Sequence, residues 1–223
     1  MDRGDIIDLL AESELFESFD RDDLEAITSS AEIRNLRRND VVFNEADTAD
    51  ELFVVCSGRI VISMASPDGR ESVMALMEAG DLFGEMGLFM DGKTRVAAAR
   101  ALEASELVAV PYPPIQQLFD ERPRLLWGVV RLLSRRLAGT NAALADSVFL
   151  DVTGRTAKRL LELAGDADEF VLPVTQEELA GMVGASRERV NKALAAFLRL
   201  GWLEQNERRY RLADREQLSR RAR

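Results

Sequence analysis

The chain has 223 residues, 47% of them hydrophobic and 30% charged, enough to bury a core in one large domain or two modest ones and too apolar to stay disordered. It carries 29 Lys and Arg against 39 Asp and Glu, a net charge of −10, which by itself disfavours a nucleic-acid partner. With one cysteine, Cys56, and no histidine, a disulfide within the chain is excluded, and an iron–sulfur cluster, a His-ligated haem and a His/Cys zinc site are disfavoured.

Cys56 lies in an apolar run and reads as a buried core thiol. The lack of a disulfide fits a reducing cytoplasm. No segment approaches the roughly 18 continuous apolar residues of a membrane span. Asp2 and Asp5 flank the start and no signal-like apolar core follows, so a soluble cytoplasmic protein with no membrane partner is expected. The charge is uneven. Residues 151–223 hold 14 basic and 12 acidic side chains, and the first 150 hold 15 and 27. The basic groups of the C-terminal part can therefore act locally.

Taken in order, residues 6–10 and 22–27 predict two short amphipathic helices. Short apolar runs follow at 41–43, 52–55, 60–62 and 73–76. They are separated by turn signals at Asn44, Ser57-Gly58, Pro67-Asp68-Gly69 and Ala79-Gly80-Asp81. That is the pattern of a compact all-β unit. After an interruption at 83–95, residues 107–110 supply another strand.

Residues 123–149 carry one long helical pattern. Leu126, Val130, Leu133, Leu137, Thr140, Leu144 and Ser147 follow alternating steps of four and three, a heptad seam interrupted by Thr140. The seam predicts a homodimer through residues 126–148. The other reading is a single helix packed on its own domain. Asp151-Val152-Thr153-Gly154-Arg155 then punctuates the chain and starts a further helix.

Residues 173–198 read as two short helices with a sharp turn between them. Thr175 and Glu178 form a capping box, Leu179, Ala180 and Val183 face inward, and Gly184 ends the first helix. Ser186 is expected to cap the second. Val190, Ala193, Leu194 and Phe197 fall on one side of it, and Arg187, Glu188, Asn191 and Lys192 on the other. A buried face backed by polar forks near an N-terminus suits a helix entering the major groove of double-stranded DNA. Arg187 would fork to a guanine, Glu188 would accept from a cytosine, and Lys192 would reach a neighbouring base or phosphate. Trp202-Leu203-Glu204 and Arg208-Arg209-Tyr210-Arg211-Leu212, with a turn near Asn206-Glu207, predict a β-hairpin wing carrying three arginines. The candidate DNA-contacting set is Thr175, Gln176, Ser186, Arg187, Glu188, Asn191, Lys192, Arg208 and Arg209. A dimer of such units would read a near-palindromic site with half-sites about 34 Å apart.

Three stretches carry a resemblance to the Crp/Fnr family of bacterial regulators, in particular to its actinobacterial cyclic AMP receptor proteins. Gly84-Glu85-Met86-Gly87-Leu88-Phe89 with Arg95 resembles the family's phosphate-binding cassette. Residues 149–155 resemble its hinge, and Val183-Gly184-Ala185-Ser186-Arg187-Glu188 the start of its recognition helix. The resemblance implies an α+β fold. An N-terminal β-roll of cyclic-nucleotide-binding type would span 1–120, a dimerisation helix 121–150 and a winged helix-turn-helix 151–223. It implies a homodimeric transcription regulator, allosterically controlled by cyclic AMP, with RNA polymerase as a further partner and no other cofactor.

By the same resemblance the cyclic AMP site would comprise Gly84, Glu85, Arg95, Thr140 and Asn141. Gly84 lets backbone approach the ligand, Glu85 would accept from a ribose hydroxyl, and Arg95 would pair with the phosphate. The segment from Gly84 to Phe89 would form a short helix whose free N–H groups favour a phosphate. Thr140 and Asn141 match the pair that contacts adenine in relatives. Read from the residues alone, Glu85 and Arg95 could instead form a salt bridge in an empty roll, and Thr140-Asn141 could set register in a coiled coil. The family cassette usually has Ser or Thr after the arginine. Here that position is Val96, with Thr94 before Arg95, and one lost charge-assisted hydrogen bond costs about 1.5–3 kcal/mol. A regulator of the same fold using another ligand or none, or a sensor module with a vestigial DNA domain, remains the alternative. No His, nucleophile–base pair or metal cluster supports an enzyme.

Overall fold

The computed structural model describes residues 1–66 and 71–223, so the turn expected at Pro67-Asp68-Gly69 lies outside the described residues. The chain divides into two compact units. One comprises Met1–Met64 and Met74–Ala138, the other Ala65–Val73 and Gly139–Arg223.

The first unit opens with α1 (Arg3–Glu12) and α2 (Arg21–Thr28), the two short helices expected. Asp2 and Asp20 cap them, each exchanging hydrogen bonds with an aspartate three residues on. Both boxes place negative charge on the free N–H groups of a first turn, where the helix dipole favours it. The strands are β1 (Glu32–Leu36), β2 (Val41–Phe43), β3 (Glu51–Ser57), β4 (Ile60–Ala65) and β5 (Glu71–Met77). Then come β6 (Leu82–Phe83), the single-turn helix α3 (Met86–Phe89), β7 (Ala98–Ala101) and β8 (Ser105–Pro111). They form two four-stranded sheets, β1-β8-β3-β6 and β2-β7-β4-β5.

The alternation along β3 and β8 explains why they read as unbroken apolar runs. Leu52, Val54, Val108 and Val110 face a core shared with α1 and α2, while Phe53, Val55, Leu107 and Ala109 face a second core with Ile60, Phe83, Ala99 and Ala101. A strand covered on both faces has no polar side to show.

β2 is irregular. Val41 is opposite Arg100 and Phe43 opposite Ala99, so one extra residue is inserted between two successive partners. This bulge lets the adjacent Val42 and Phe43 both pack against the second core, which a regular strand with period two cannot do.

After α4 (Tyr112–Glu121), a 3₁₀ turn at Pro123–Leu125 precedes α5 (Leu126–Phe149). The long helix expected from residue 123 therefore begins three residues later. The first turn is tightened at Pro123, which lacks an N–H. Gly128, Val129 and Leu132 are the buried residues of α5, whereas the seam residues Leu133, Leu137 and Leu144 are 40%, 60% and 62% exposed. The seam is thus not the face that α5 packs on its own chain.

The second unit contains α6 (Val152–Ala164), β9 (Glu169–Val171), α7 (Gln176–Val183), α8 (Arg187–Arg199), β10 (Leu203–Asn206), β11 (Arg209–Leu212) and α9 (Arg215–Arg221). The sheet order is β10-β11-β9, so the expected hairpin gains a third strand. Leu179, Ala180, Val183, Val190, Ala193, Leu194 and Phe197 are all buried, as the helical periodicity predicts. Phe197 stacks on Trp202 and Phe170 on Tyr210, tying α8 and β9 to the wing. Among the described residues, no helix is long and apolar enough to cross a membrane.

Candidate functional site

The first unit holds a cleft where β6 ends and α3 begins. It contains about 390 Å³ of empty space, its open mouth included. Gly84 turns the chain there with φ +80°, and a Cβ at this position would lie 2.8 Å from Arg95 Nη1. Only glycine combines that backbone angle with that approach. Its carbonyl accepts from Arg95 Nη1 at 2.9 Å and from the hydroxyl of Tyr112. Burial pushes the Tyr112 phenol up to about 12, so it remains a neutral donor at pH 7.

Glu85 is wholly buried beside it. Its Oε1 accepts from Arg136 Nη1, while among the described residues Oε2 has no hydrogen-bond partner. Arg136 also donates to the Leu82 carbonyl at 2.6 Å, so one guanidinium ties α5 to β6 and to the start of α3. Burial holds the Glu85 carboxyl above its ordinary value, and the charge and hydrogen bond of Arg136 oppose that rise.

Arg95 is 5% exposed, and its buried Nε–H has no hydrogen-bond partner among the described residues. Phe43, Ile62, Met77, Phe83, Met86 and Val96 supply apolar lining. Two guanidinium groups against one carboxylate leave the cleft with one net positive charge. Two buried polar atoms, a donor on Arg95 and an acceptor on Glu85, await partners. This arrangement can take an anion next to a hydroxyl donor.

Gly84, Glu85 and Arg95 are brought together as expected. The Glu85–Arg95 ion pair considered as an alternative does not form, because Glu85 is taken by Arg136. Arg136, Tyr112 and Phe43 were not found from sequence. The one available signal for Arg136 was its place on the long helix, four residues before Thr140. Thr140 and Asn141 are exposed on α5 and belong to the second unit.

In the second unit, the capping box of Thr175 and Glu178 is formed, and Gly184 ends α7 in the left-handed conformation at φ +66°, ψ +45°. Ser186 occupies the N-cap position of α8, but its side chain makes no capping bond, in correction of the sequence reading. Its exposed hydroxyl is left facing solvent. Arg187 is exposed. Glu188 and Lys192 pair at 2.8 Å with both side chains about three-quarters exposed, and Lys192 holds the Glu188 carboxyl below its ordinary value. Asn191 is half-buried, and its Oδ1 has no partner.

The wing differs from expectation in its charge. Arg211 is bidentate to Glu204 on the facing strand, and Arg208 donates to the Leu172 carbonyl at 3.0 Å. Arg209 is exposed. Of the three arginines, one is neutralised by a cross-strand carboxylate that the sequence places seven residues away. Gln176 is half-buried at the start of α7.

A double-sheet roll with a cationic cleft, followed in the chain by a long helix and a winged helix-turn-helix, defines a two-part regulator. Comparison with known proteins agrees. The cyclic nucleotide-binding domain family matches residues 33–122, and the Crp-like helix-turn-helix domain family matches residues 154–221. A CRP-like cAMP-activated global transcriptional regulator of Mycobacterium tuberculosis is 36% identical over 223 residues, covering 97% of this chain and 99% of the relative. The cAMP-activated global transcriptional regulator CRP of Salmonella typhimurium is 31% identical over 177 residues, covering 77% of this chain and 84% of that protein. Among solved structures, the c-di-GMP responsive global regulator CLP of Xanthomonas campestris aligns with TM-score 0.76 at 31% identity, covering 86% of this chain and 99% of that one. The chain belongs to the Crp family of transcriptional regulators.

Proposed function

We propose that this protein is a homodimeric, sequence-specific DNA-binding regulator switched by cyclic AMP, acting in the cytoplasm and carrying no catalytic activity of its own. The observation that carries the ligand half is the buried Arg95, which makes no ion pair among the described residues, beside the buried carboxylate of Glu85. A cyclic phosphate diester offers one negative charge to the first and a ribose hydroxyl to the second. Thr140 and Asn141 enter this reading as the base-contacting pair that the family resemblance implies. Support for the DNA half comes from the exposed Arg187, Glu188 and Lys192 at the start of α8, with Ser186, Asn191 and Arg209 nearby. Thr175 and Gln176 at the start of α7, with Arg208, complete the surface.

Ligand binding controls DNA affinity only if the two conformations of the protein bind the ligand differently. The exposed seam of α5 supplies a self-association surface through which two second units can address two half-sites. RNA polymerase is the further partner this reading names. The protein with the matching fold from Xanthomonas campestris is described as responsive to c-di-GMP, which makes effector identity the point to test.

Calorimetric titration with cyclic AMP, cyclic GMP and cyclic di-GMP tests it. Cyclic AMP should bind with one site per chain, and Arg95→Ala should abolish the heat. Val96 lines the cleft next to Arg95, so Val96→Ser should tighten binding by about tenfold. No heat and no melting shift with millimolar cyclic AMP would replace this reading with a regulator that uses another ligand or none.

A further inference from the structure

Among the described residues, Arg95 forms no ion pair. Its Nη1 donates to the Gly84 carbonyl at 2.9 Å and to the Tyr112 hydroxyl at 3.3 Å, both neutral acceptors. Among the described residues no carboxylate lies within ion-pair distance of it, and the nearby carboxylate of Glu85 is engaged by Arg136. What covers the guanidinium is aromatic. Its carbon lies 4.2 Å from the ring centroid of Phe43 and 5.5 Å from that of Phe53.

The two rings are not equivalent. Phe53 also faces the guanidinium of Arg34 at 5.5 Å, and Arg34 is bidentate to Glu51. Among the described residues, Phe43 faces Arg95 alone. Its own position is fixed by the bulge in β2, which turns it inward, and by Phe53 and Phe83, whose centroids lie 5.9 and 6.1 Å away.

A ring face attracts a cation through its quadrupole and leaves the full unit charge in place. A carboxylate in the same position would orient the guanidinium equally well but cancel its charge and compete with any incoming anion. We propose that Phe43 is a positioning residue of the anion site. Its ring holds the Arg95 fork in the cleft with no direct carboxylate partner, ready for an anionic ligand. The inference rests on the proposed reading of the cleft as a site for a phosphate-bearing effector.

The test compares wild type with Phe43→Leu, which keeps apolar bulk and removes the ring, and Phe43→Tyr, which restores the ring. Calorimetry with cyclic AMP should show binding weakened about 3- to 30-fold in Phe43→Leu and nearly restored in Phe43→Tyr. Adenosine, which carries no phosphate, should bind wild type and Phe43→Leu alike. In parallel, the Arg95 Nε–Hε signal is followed by NMR during titration with inorganic phosphate. It should shift in wild type and much less in Phe43→Leu.

Equal cyclic AMP affinity in wild type and Phe43→Leu would overturn the inference and leave the effector reading intact. So would adenosine binding weakened as much as cyclic AMP binding, since Phe43 would then only shape the pocket. Failure of Phe43→Tyr to recover affinity would overturn it as well. If cyclic AMP does not bind wild type but phosphate moves the Arg95 signal in a Phe43-dependent way, the inference stands and cyclic AMP falls. If neither ligand registers on wild type, both fall.

Discussion

Arg136 and Glu85 lie 51 residues apart in sequence and form an ion pair at the edge of the cleft, with the carboxylate fully buried and the arginine one-third exposed. Burial favours the neutral form of this carboxyl, and the charge and hydrogen bond of Arg136 favour the ionised one. Arg136 reaches it from α5, the helix that also carries the exposed apolar seam.

Replacing Arg136 with Ala should therefore destabilise the protein by about 3 kcal/mol near neutral pH, at the low end for a buried pair because Arg136 is partly solvated. The loss should depend on pH with a definite sign. Burial already holds the Glu85 carboxyl above its unfolded value, and removing Arg136 raises it further. The folded state then binds the proton more tightly than the unfolded state, so stability falls as pH rises from the unfolded value to the raised folded one. Urea unfolding at pH 5 and pH 8 should show a smaller deficit for Arg136→Ala at pH 5. Equal deficits at both would mean that Glu85 does not carry the effect.

Asp151 gives the opposite sign. It caps α6 by accepting from Gly154 N at 2.8 Å and also receives Arg221. The backbone bond and then Arg221 hold its carboxyl below the ordinary value. The stability it contributes is present above the unfolded aspartate value and is lost as pH falls through the lower folded value. Asp151→Ala should cost about 0.5–2 kcal/mol at pH 7. Asp151→Asn should recover most of it and remove this group's acid dependence, read by thermal melts across pH 2–6.

Much of this architecture was legible in the sequence, and the failures have physical causes. β3 and β8 announced themselves because both faces are buried. β1 did not, because Glu32-Ile33-Arg34-Asn35-Leu36 is an edge strand with polar residues on show. β7 is Ala98-Ala99-Arg100-Ala101, where the close approach of packed strands selects small side chains of weak strand propensity. The helix-turn-helix is legible because the Thr175–Glu178 capping box, the left-handed Gly184 and helical periodicity are local signals, whereas the Ser186 cap does not form. Glu85 and Arg95 were found through a motif. Arg136 and Phe43 were not, since one acts across 51 residues and the other faces inward only because of a bulge. The charge of the wing was over-read because pairing of Arg211 with Glu204 depends on hairpin register.

The exposed seam of α5 makes self-association the expected state. Leu133→Glu with Leu137→Glu should leave a folded monomer with weak, non-specific DNA affinity. Sedimentation velocity at micromolar concentration checks it. A wild type that sediments as a monomer with and without DNA would remove the seam from the account.

Base reading by α8 is part of the proposed function. Arg187→Ala should cost about 1–3 kcal/mol of specific DNA binding and relax preference at one base position in each half-site. Arg211→Ala should change binding little, because Glu204 already holds that charge. Site selection from a random oligonucleotide pool distinguishes the two. Identical preferences for wild type and Arg187→Ala would reduce Arg187 to a solvated surface charge.

In the proposed function, occupancy of the cleft at Arg95 controls DNA affinity. Fluorescence anisotropy with a near-palindromic duplex, at one fixed salt concentration with and without saturating cyclic AMP, tests it directly. Cyclic AMP should tighten binding by wild type at least tenfold and leave Arg95→Ala at its ligand-free affinity. Equal affinity of wild type with and without the nucleotide, at a concentration shown by calorimetry to fill the site, would contradict the account.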